Sequence, residues 1–174
     1  MDFNEIYNEY SNMVYNVALS YVQNKEEAEE ITQDVFLSVY QKLDEFQANA
    51  KVSTWIYRIA INKSLDYIKG KKRKKRFAFL SSIFSDKDGS LVHDPANFNH
   101  PGVELENKEA TKHIFTKINE LPDNQKTALI LHKIEKKSQA EIGEIMDVTP
   151  KAVESLIQRA KKNLEKKLNQ NEGY

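Results

Sequence analysis

Residues 138–162 read SQAEIGEIMDVTPKAVESLIQRAKK. Two helical runs, 138–146 and 150–167, are separated only by Asp147-Val148-Thr149. Ile142, Met146, Val148, Val153 and Leu156 fall where two crossing helices bury apolar side chains. Gly143 stands where the helices come too close for a larger side chain. Asp147 takes a turn position that favours positive φ, Thr149 caps the second helix and Pro150 suits its first position. This is the spacing of a helix-turn-helix. It leaves Lys151, Glu154, Ser155, Gln158, Arg159 and Lys162 pointing outward beside the capping Thr149. Gln and Arg can read base edges in a major groove, while Lys and capped N–H groups hold phosphates. Two packed helices with a solvated polar face would give the same pattern. Glu154 favours that alternative by repelling phosphate, although it can accept from a cytosine amino group.

Upstream of this pair, Leu129, Ile130, Leu131 and Ile134 predict one helix, Leu121-Pro122-Asp123 a break, and residues 104–120 another helix. From Phe77 to about Gly102 periodicity vanishes among turn signals such as Asp88-Gly89-Ser90, Asp94-Pro95 and His100-Pro101-Gly102. So long a structureless stretch suits a linker between two domains. Its Phe77, Phe79, Leu80, Ile83, Phe84 and Phe98 are apolar enough to dock elsewhere.

At the other end, Phe3, Ile6, Tyr7, Tyr10, Val14, Val17, Ala18 and Tyr21 lie on one helical face. Asn24 caps the next helix, with Glu27 as the return half of a capping box. That helix turns Ala28, Ile31, Val35, Val39, Leu43 and Phe46 inward, and Glu26, Glu27, Glu29 and Glu30 crowd its first turns, where the helix dipole favours acids. Residues 47–52 read as a loop. Ser53 or Thr54 then caps a third helix from Trp55, which either ends at Gly70 or continues through the Lys71–Arg76 basic run.

The formal net charge of zero hides a division. Residues 1–50 hold ten acids against Lys25 and Lys42, and residues 51–76 hold ten bases against Asp66. Adjacent blocks of opposite sign imply two different partners, the basic one a nucleic acid. The chain has no cysteine, which excludes disulfides, thiolate metal sites and a cysteine nucleophile. His93, His100, His113 and His132 are scattered, with no paired carboxylate, glycine-rich phosphate loop or metal spacing beside them. The expectation is a non-enzyme without cofactor or metal. With no transmembrane-length apolar run and no signal-peptide start, a cytoplasmic location is expected. Few Gly and Pro among long Lys-, Glu-, Ile- and Leu-rich runs predict an all-α fold of two small helical domains joined by an irregular linker.

Several runs together carry a family resemblance: residues 24–37 (NKEEAEEITQDVFL), 54–66 (TWIYRIAINKSLD), Leu121-Pro122, 140–146 (AEIGEIM) and 153–161 (VESLIQRAK). In this order and spacing the chain resembles a bacterial RNA polymerase sigma factor of the extracytoplasmic-function (ECF) group. The resemblance implies three parts. Residues 1–76 would form the region 2 helical bundle, which docks on core polymerase and melts and reads the −10 element. Residues 77–104 would be the linker, and residues 105–174 the region 4 helix-turn-helix domain for the −35 element.

By the same resemblance, Gln33, Asp34, Phe36, Leu37 and Tyr40 are the candidates for docking on the β′ clamp helices, with the β flap as a second polymerase contact. Phe36, Leu37 and Tyr40 lie off the Ile31/Val35/Val39 stripe; otherwise they pack on the first or third helix. Trp55, Arg58, Asn62, Lys63, Lys71, Lys72 and Arg73 are the −10 candidates. Where housekeeping sigma factors carry a Trp pair that wedges the duplex open, this chain has Trp55-Ile56, so weaker melting and a stricter promoter follow. Trp55 read alone is more often a core residue than a DNA wedge. Thr149, Lys151, Glu154, Ser155, Gln158, Arg159 and Lys162 are the −35 candidates. The acidic linker, with Asp86, Asp88, Asp94 and Glu104 against Lys87, would thread the polymerase cleft. Core RNA polymerase, promoter DNA and an anti-sigma factor are the implied partners, without membrane insertion. The competing reading is an autonomous helix-turn-helix regulator with an N-terminal interaction domain; an enzyme acting on nucleic acid is the third.

Overall fold

In a computed structural model, residues 2–46, 51–84 and 108–169 are described, and they form seven helices and no strand. Helix α1 (Phe3–Val22) starts where the Asp2 N–H donates to the Glu5 carboxylate at 3.1 Å. It stops at Gln23, whose φ of 55° turns the chain and whose N–H still reaches the Leu19 carbonyl at 2.9 Å. Helix α2 (Lys25–Lys42) begins at Asn24, whose side chain accepts from the Glu27 N–H at 2.9 Å. The expected return half of that capping box is replaced: the Glu27 carboxylate pairs with the Lys71 ammonium on the next helix.

Helix α3 (Val52–Phe84) corrects the expected boundaries at both ends. The Trp55 N–H bonds the Lys51 carbonyl at 3.1 Å, so the first turn closes before Trp55, and Ser53 and Thr54 lie inside it. The helix also passes Gly70, whose missing side chain faces open space, and continues beyond the expected linker start at Phe77. One glycine costs only about 1 kcal/mol relative to alanine, and the surrounding Lys and Arg are good helix formers. The linker acids Asp86, Asp88, Asp94 and Glu104, with Lys87 and Phe98, lie outside the described residues, as do loop positions 47–50.

The second half contains α4 (Lys108–Asn119), α5 (Asp123–Lys133), α6 (Gln139–Met146) and α7 (Pro150–Asn169). Ser138 and Glu141 make a reciprocal capping box at the start of α6. Asp147 takes φ 56°, and Thr149 Oγ1 accepts from the Ala152 N–H at 3.2 Å. Gly143 is required by close approach: a Cβ there would stand 2.7 Å from the Val148 carbonyl oxygen. Val148 itself departs from the expected burial and is 38% exposed, because its backbone, not its side chain, fills the crossing point.

Ile6, Val14, Val17, Ala18 and Tyr21 of α1, Ala28, Ile31, Val35 and Val39 of α2, and Ile56 and Ala60 of α3 pack as a three-helix bundle. The same apolar cluster runs on into Ala128, Ile130 and Leu131 of α5, Ile142 and Ile145 of α6, and Val153 and Ile157 of α7. A smaller cluster of Ile118, Leu121, Leu129 and Ala160 holds α4 to α5 and α7. The two helical units therefore meet along one seam, crossed by polar contacts. The Tyr21 hydroxyl lies 2.8 Å from Thr127 Oγ1, Tyr57 donates to Glu135 at 3.3 Å, and Lys69 pairs with Asp123 at 2.9 Å.

Candidate nucleic-acid interface

The helix-turn-helix places its row as the spacing predicts. Val153, Ile157 and Ala160 bury one stripe of α7, while Thr149, Lys151, Glu154, Gln158, Arg159 and Lys162 are exposed and Ser155 is half-buried. Parts of the row are held from within. Ser155 Oγ donates to the Lys151 carbonyl at 3.1 Å, Arg159 Nε to the Ser155 carbonyl at 3.2 Å, and Gln158 Nε2 to Glu154 at 3.4 Å. Glu154 thus orients Gln158.

On α3 the basic run divides between two faces, because residues spaced by three, four and seven positions lie along one stripe of a helix. Lys69, Lys72, Arg73 and Arg76 line an open groove with Asp66. Lys71 leaves that groove for Glu27 and is corrected from a free phosphate contact to an ion-paired side chain. Lys71 and Lys75 line a second depression with Glu27 and Tyr67, and Lys72 stands between the two, lining both. Tyr67, which donates to Glu30 at 3.2 Å, has its hydroxyl pushed up to about 12 by desolvation, with the Glu27 and Glu30 charges adding to it. The acidic and basic blocks of the sequence therefore partly satisfy each other across α2 and α3. Arg76 joins Lys72 and Arg73 through helical spacing, a signal available once the basic run is read as helix, while Lys69 at the end of the groove is paired with Asp123.

Trp55 is half-buried, and its ring lies 4.7 Å from that of Phe46 at 31°. Ile56 is fully buried, so the second member of the Trp55-Ile56 pair serves the core, and the ring beside Trp55 comes instead from Phe46. Asn62 is exposed and Lys63 half-buried. Arg58 does not point into solvent. Its Nε donates to the Ile145 carbonyl at 3.0 Å and its Nη2 to the Glu144 carbonyl at 2.6 Å. Arg58 and Asn62 share a cavity of about 160 Å³ with Asn124, Thr127 and Met146 from the other unit.

On α2, Gln33 and Asp34 are exposed, Leu37 is 56% exposed and Tyr40 66%. Phe36 is corrected from the docking set to the interior: it is 4% exposed, with ring contacts to Tyr7 at 4.7 Å and Phe3 at 6.4 Å. Phe3 also packs edge-on against Tyr40 at 5.3 Å, so α1 buttresses the exposed ring. Among the described residues no cluster of His, Cys, Asp or Glu is placed to hold a metal, and no helix is long and apolar enough to cross a membrane.

Residues 6–74 match Sigma-70 region 2, and residues 114–164 match Sigma-70, region 4. The ECF RNA polymerase sigma factor SigW of Bacillus subtilis (strain 168) is 32% identical over 168 residues, 95% of this chain and 88% of that protein. The ECF RNA polymerase sigma-E factor of Haemophilus influenzae is 29% identical over 168 residues, 95% of this chain and 87% of that one. Two solved structures share the fold at 20% identity. CnrH, in complex with the cytosolic domain of CnrY, gives a TM-score of 0.63 over 97% of this chain and 88% of its own. The sigma factor RpoE of Bartonella quintana, in complex with the anti-sigma factor NepR, gives 0.61 over 97% of each. With both sigma-70 regions in order and a relative matched along nearly its whole length, this chain belongs to the ECF RNA polymerase sigma factors, which direct promoter-specific transcription.

Proposed function

We propose that residues 1–76 dock on core RNA polymerase and read the −10 element, and that residues 105–174 read the −35 element, with residues 77–104 between them. The observation that carries this division is the exposed row of Lys151, Glu154, Gln158, Arg159 and Lys162, on a helix whose opposite stripe is buried. Lys151 and Lys162 supply phosphate contacts, and Gln158, set by Glu154, reads a base edge with Arg159. The −10 strand is taken by α3. Phe46 and Trp55 offer stacking surface, Asn62 a polar contact, and Lys72, Arg73 and Arg76 along their groove the backbone charge. Leu37 and Tyr40, with Gln33 and Asp34, meet the polymerase. The protein serves as a non-catalytic subunit. An anti-sigma factor belongs to the same reading, since the Bartonella quintana relative was solved with one.

Adding purified protein to core RNA polymerase on genomic DNA fragments tests the reading. Transcription selective for a subset of fragments, dependent on the added protein, is expected. Absent core binding together with tight, polymerase-independent binding to a palindromic site would overturn it in favour of an autonomous regulator.

A further inference from the structure

Helix α3 outruns the body that supports it. Ile56, Tyr57, Ala60, Ile61 and Ser64 are buried, and Leu65, Tyr67 and Ile68 are half-buried. Residues 72–79 are then exposed without interruption. A run of that length makes more than two turns, so every side of the helix there meets solvent.

The projecting turns hold two kinds of side chain and little else. Lys72, Arg73, Lys74, Lys75 and Arg76 come first, followed by Phe77, 75% exposed, and Phe79, 61% exposed. No acid occurs between Asp66 and Asp86. Asp123 and Glu27 from other helices pair with Lys69 and Lys71, but among the described residues no acid pairs with the bases from Lys72 to Arg76. At about 100° per residue, Phe77 and Phe79 stand roughly 160° apart, with Lys72, Arg73 and Arg76 in the arc between them. A phosphate backbone would satisfy the charge and leave the rings in water, and a single strand follows too narrow a line to stack on both. A surface lying along the helix meets the whole arc at once. An anionic bilayer has the matching layers, with phosphate headgroups for the Lys and Arg side chains and acyl chains just beneath for the rings. The helix lies on such a surface and has no need to cross it.

We propose that residues 72–79 form a peripheral docking site for an anionic lipid bilayer, with the bases at the headgroups and Phe77 and Phe79 dipped to the acyl boundary. Lys72, Arg73 and Arg76 are also the bases read above as −10 contacts, so bilayer and promoter exclude each other at this helix. That exclusion rests on the −10 reading; the docking itself does not.

Co-sedimentation of the full chain with lipid vesicles tests the site. Vesicles of equal parts phosphatidylcholine and phosphatidylglycerol should bring the protein down, and vesicles of phosphatidylcholine alone should not. Equal recovery with both, or with neither, overturns the proposal. Phe77→Ser combined with Phe79→Ser should weaken sedimentation with the anionic vesicles about tenfold or more, because the two rings supply the apolar part of the attachment. Both positions are exposed, so the melting temperature should not change. Undiminished sedimentation would reduce the contact to charge adsorption and overturn the site. If the variant keeps the vesicles but loses core RNA polymerase or a single-stranded thymidine oligomer, the rings serve that partner and the proposal falls. Phe79→Trp in a Trp55→Phe background leaves a single indole as reporter. Brominated acyl chains in the anionic vesicles should quench its emission; unquenched emission of the sedimented protein overturns the placement of the rings.

Discussion

The Tyr57 hydroxyl donates to Glu135 at 3.3 Å, joining two residues 78 positions apart across the seam between the helical units. Burial raises the Glu135 carboxyl above its ordinary value of 4.5, against the Tyr57 hydrogen bond and the nearby Lys137 charge, which lower it. Lys137 also sits over the Tyr57 ring, 5.1 Å from its centre. Burial likewise pushes the Tyr57 hydroxyl up.

A raised carboxyl binds its proton more tightly in the folded chain than in the unfolded one. Its stabilising contribution is complete below pH 4.5 and is lost as pH rises through the raised value. Glu135→Gln keeps an acceptor for Tyr57 and removes the desolvated charge. Melting temperatures from pH 4.5 to 8 should show the variant gaining on the wild type as pH rises. Parallel curves would mean that Glu135 is not held protonated by the seam.

Phe36 and Leu37 are neighbours with opposite roles. Phe36→Ala should cost about 3–5 kcal/mol of stability, measured by denaturant unfolding, because a 4% exposed ring leaves a cavity. Leu37→Ala and Tyr40→Ala should instead leave unfolding nearly unchanged and weaken capture of core RNA polymerase in a pull-down titration. Unaltered capture by both would remove this face from the docking surface.

The basic run should behave as two groups. Replacing Lys72, Arg73 and Arg76 by alanine should flatten the salt dependence of promoter binding, by roughly 0.7–0.9 in log–log slope for each phosphate that is no longer neutralised. Lys71→Ala should barely alter that slope, its charge being spent on Glu27, and should change stability by no more than about 1 kcal/mol. Equal effects from all four positions would contradict the division into faces.

Gly143→Ala forces a Cβ to 2.7 Å from the Val148 carbonyl oxygen, a backbone atom with little freedom to yield. A loss of about 1–3 kcal/mol is expected. Duplex binding by α7 should weaken as well, because the shift changes the angle at which Thr149 and Pro150 launch that helix. Wild-type stability in this variant would show that the turn is more plastic than its contacts imply.

Much of this molecule is local in origin and therefore legible along the chain. The cap at Ser138, the positive φ of Asp147, the close approach at Gly143 and the buried stripe of α7 each depend on residues only a few positions apart. The course of α3 is less legible. Gly70 suggests a stop, yet the helix runs through it to Phe84, because a single glycine costs too little to end it among good helix formers. Phe36 is ambiguous for another reason: lying off the α2 stripe it could be exposed, and only the arrival of Phe3 and Tyr7 from α1 encloses it.

The order of residues by itself determines the helices, the helix-turn-helix and the charge division, because helical periodicity, capping and the sign of a side chain are properties of short segments. Tertiary structure alone decides how the charges are used. Lys71 is neutralised by Glu27, Lys69 by Asp123, and Arg58 is held by two carbonyls some 86 positions away. Such pairings have no sequence period, since they depend on which helix faces meet once apolar burial has brought the two units together.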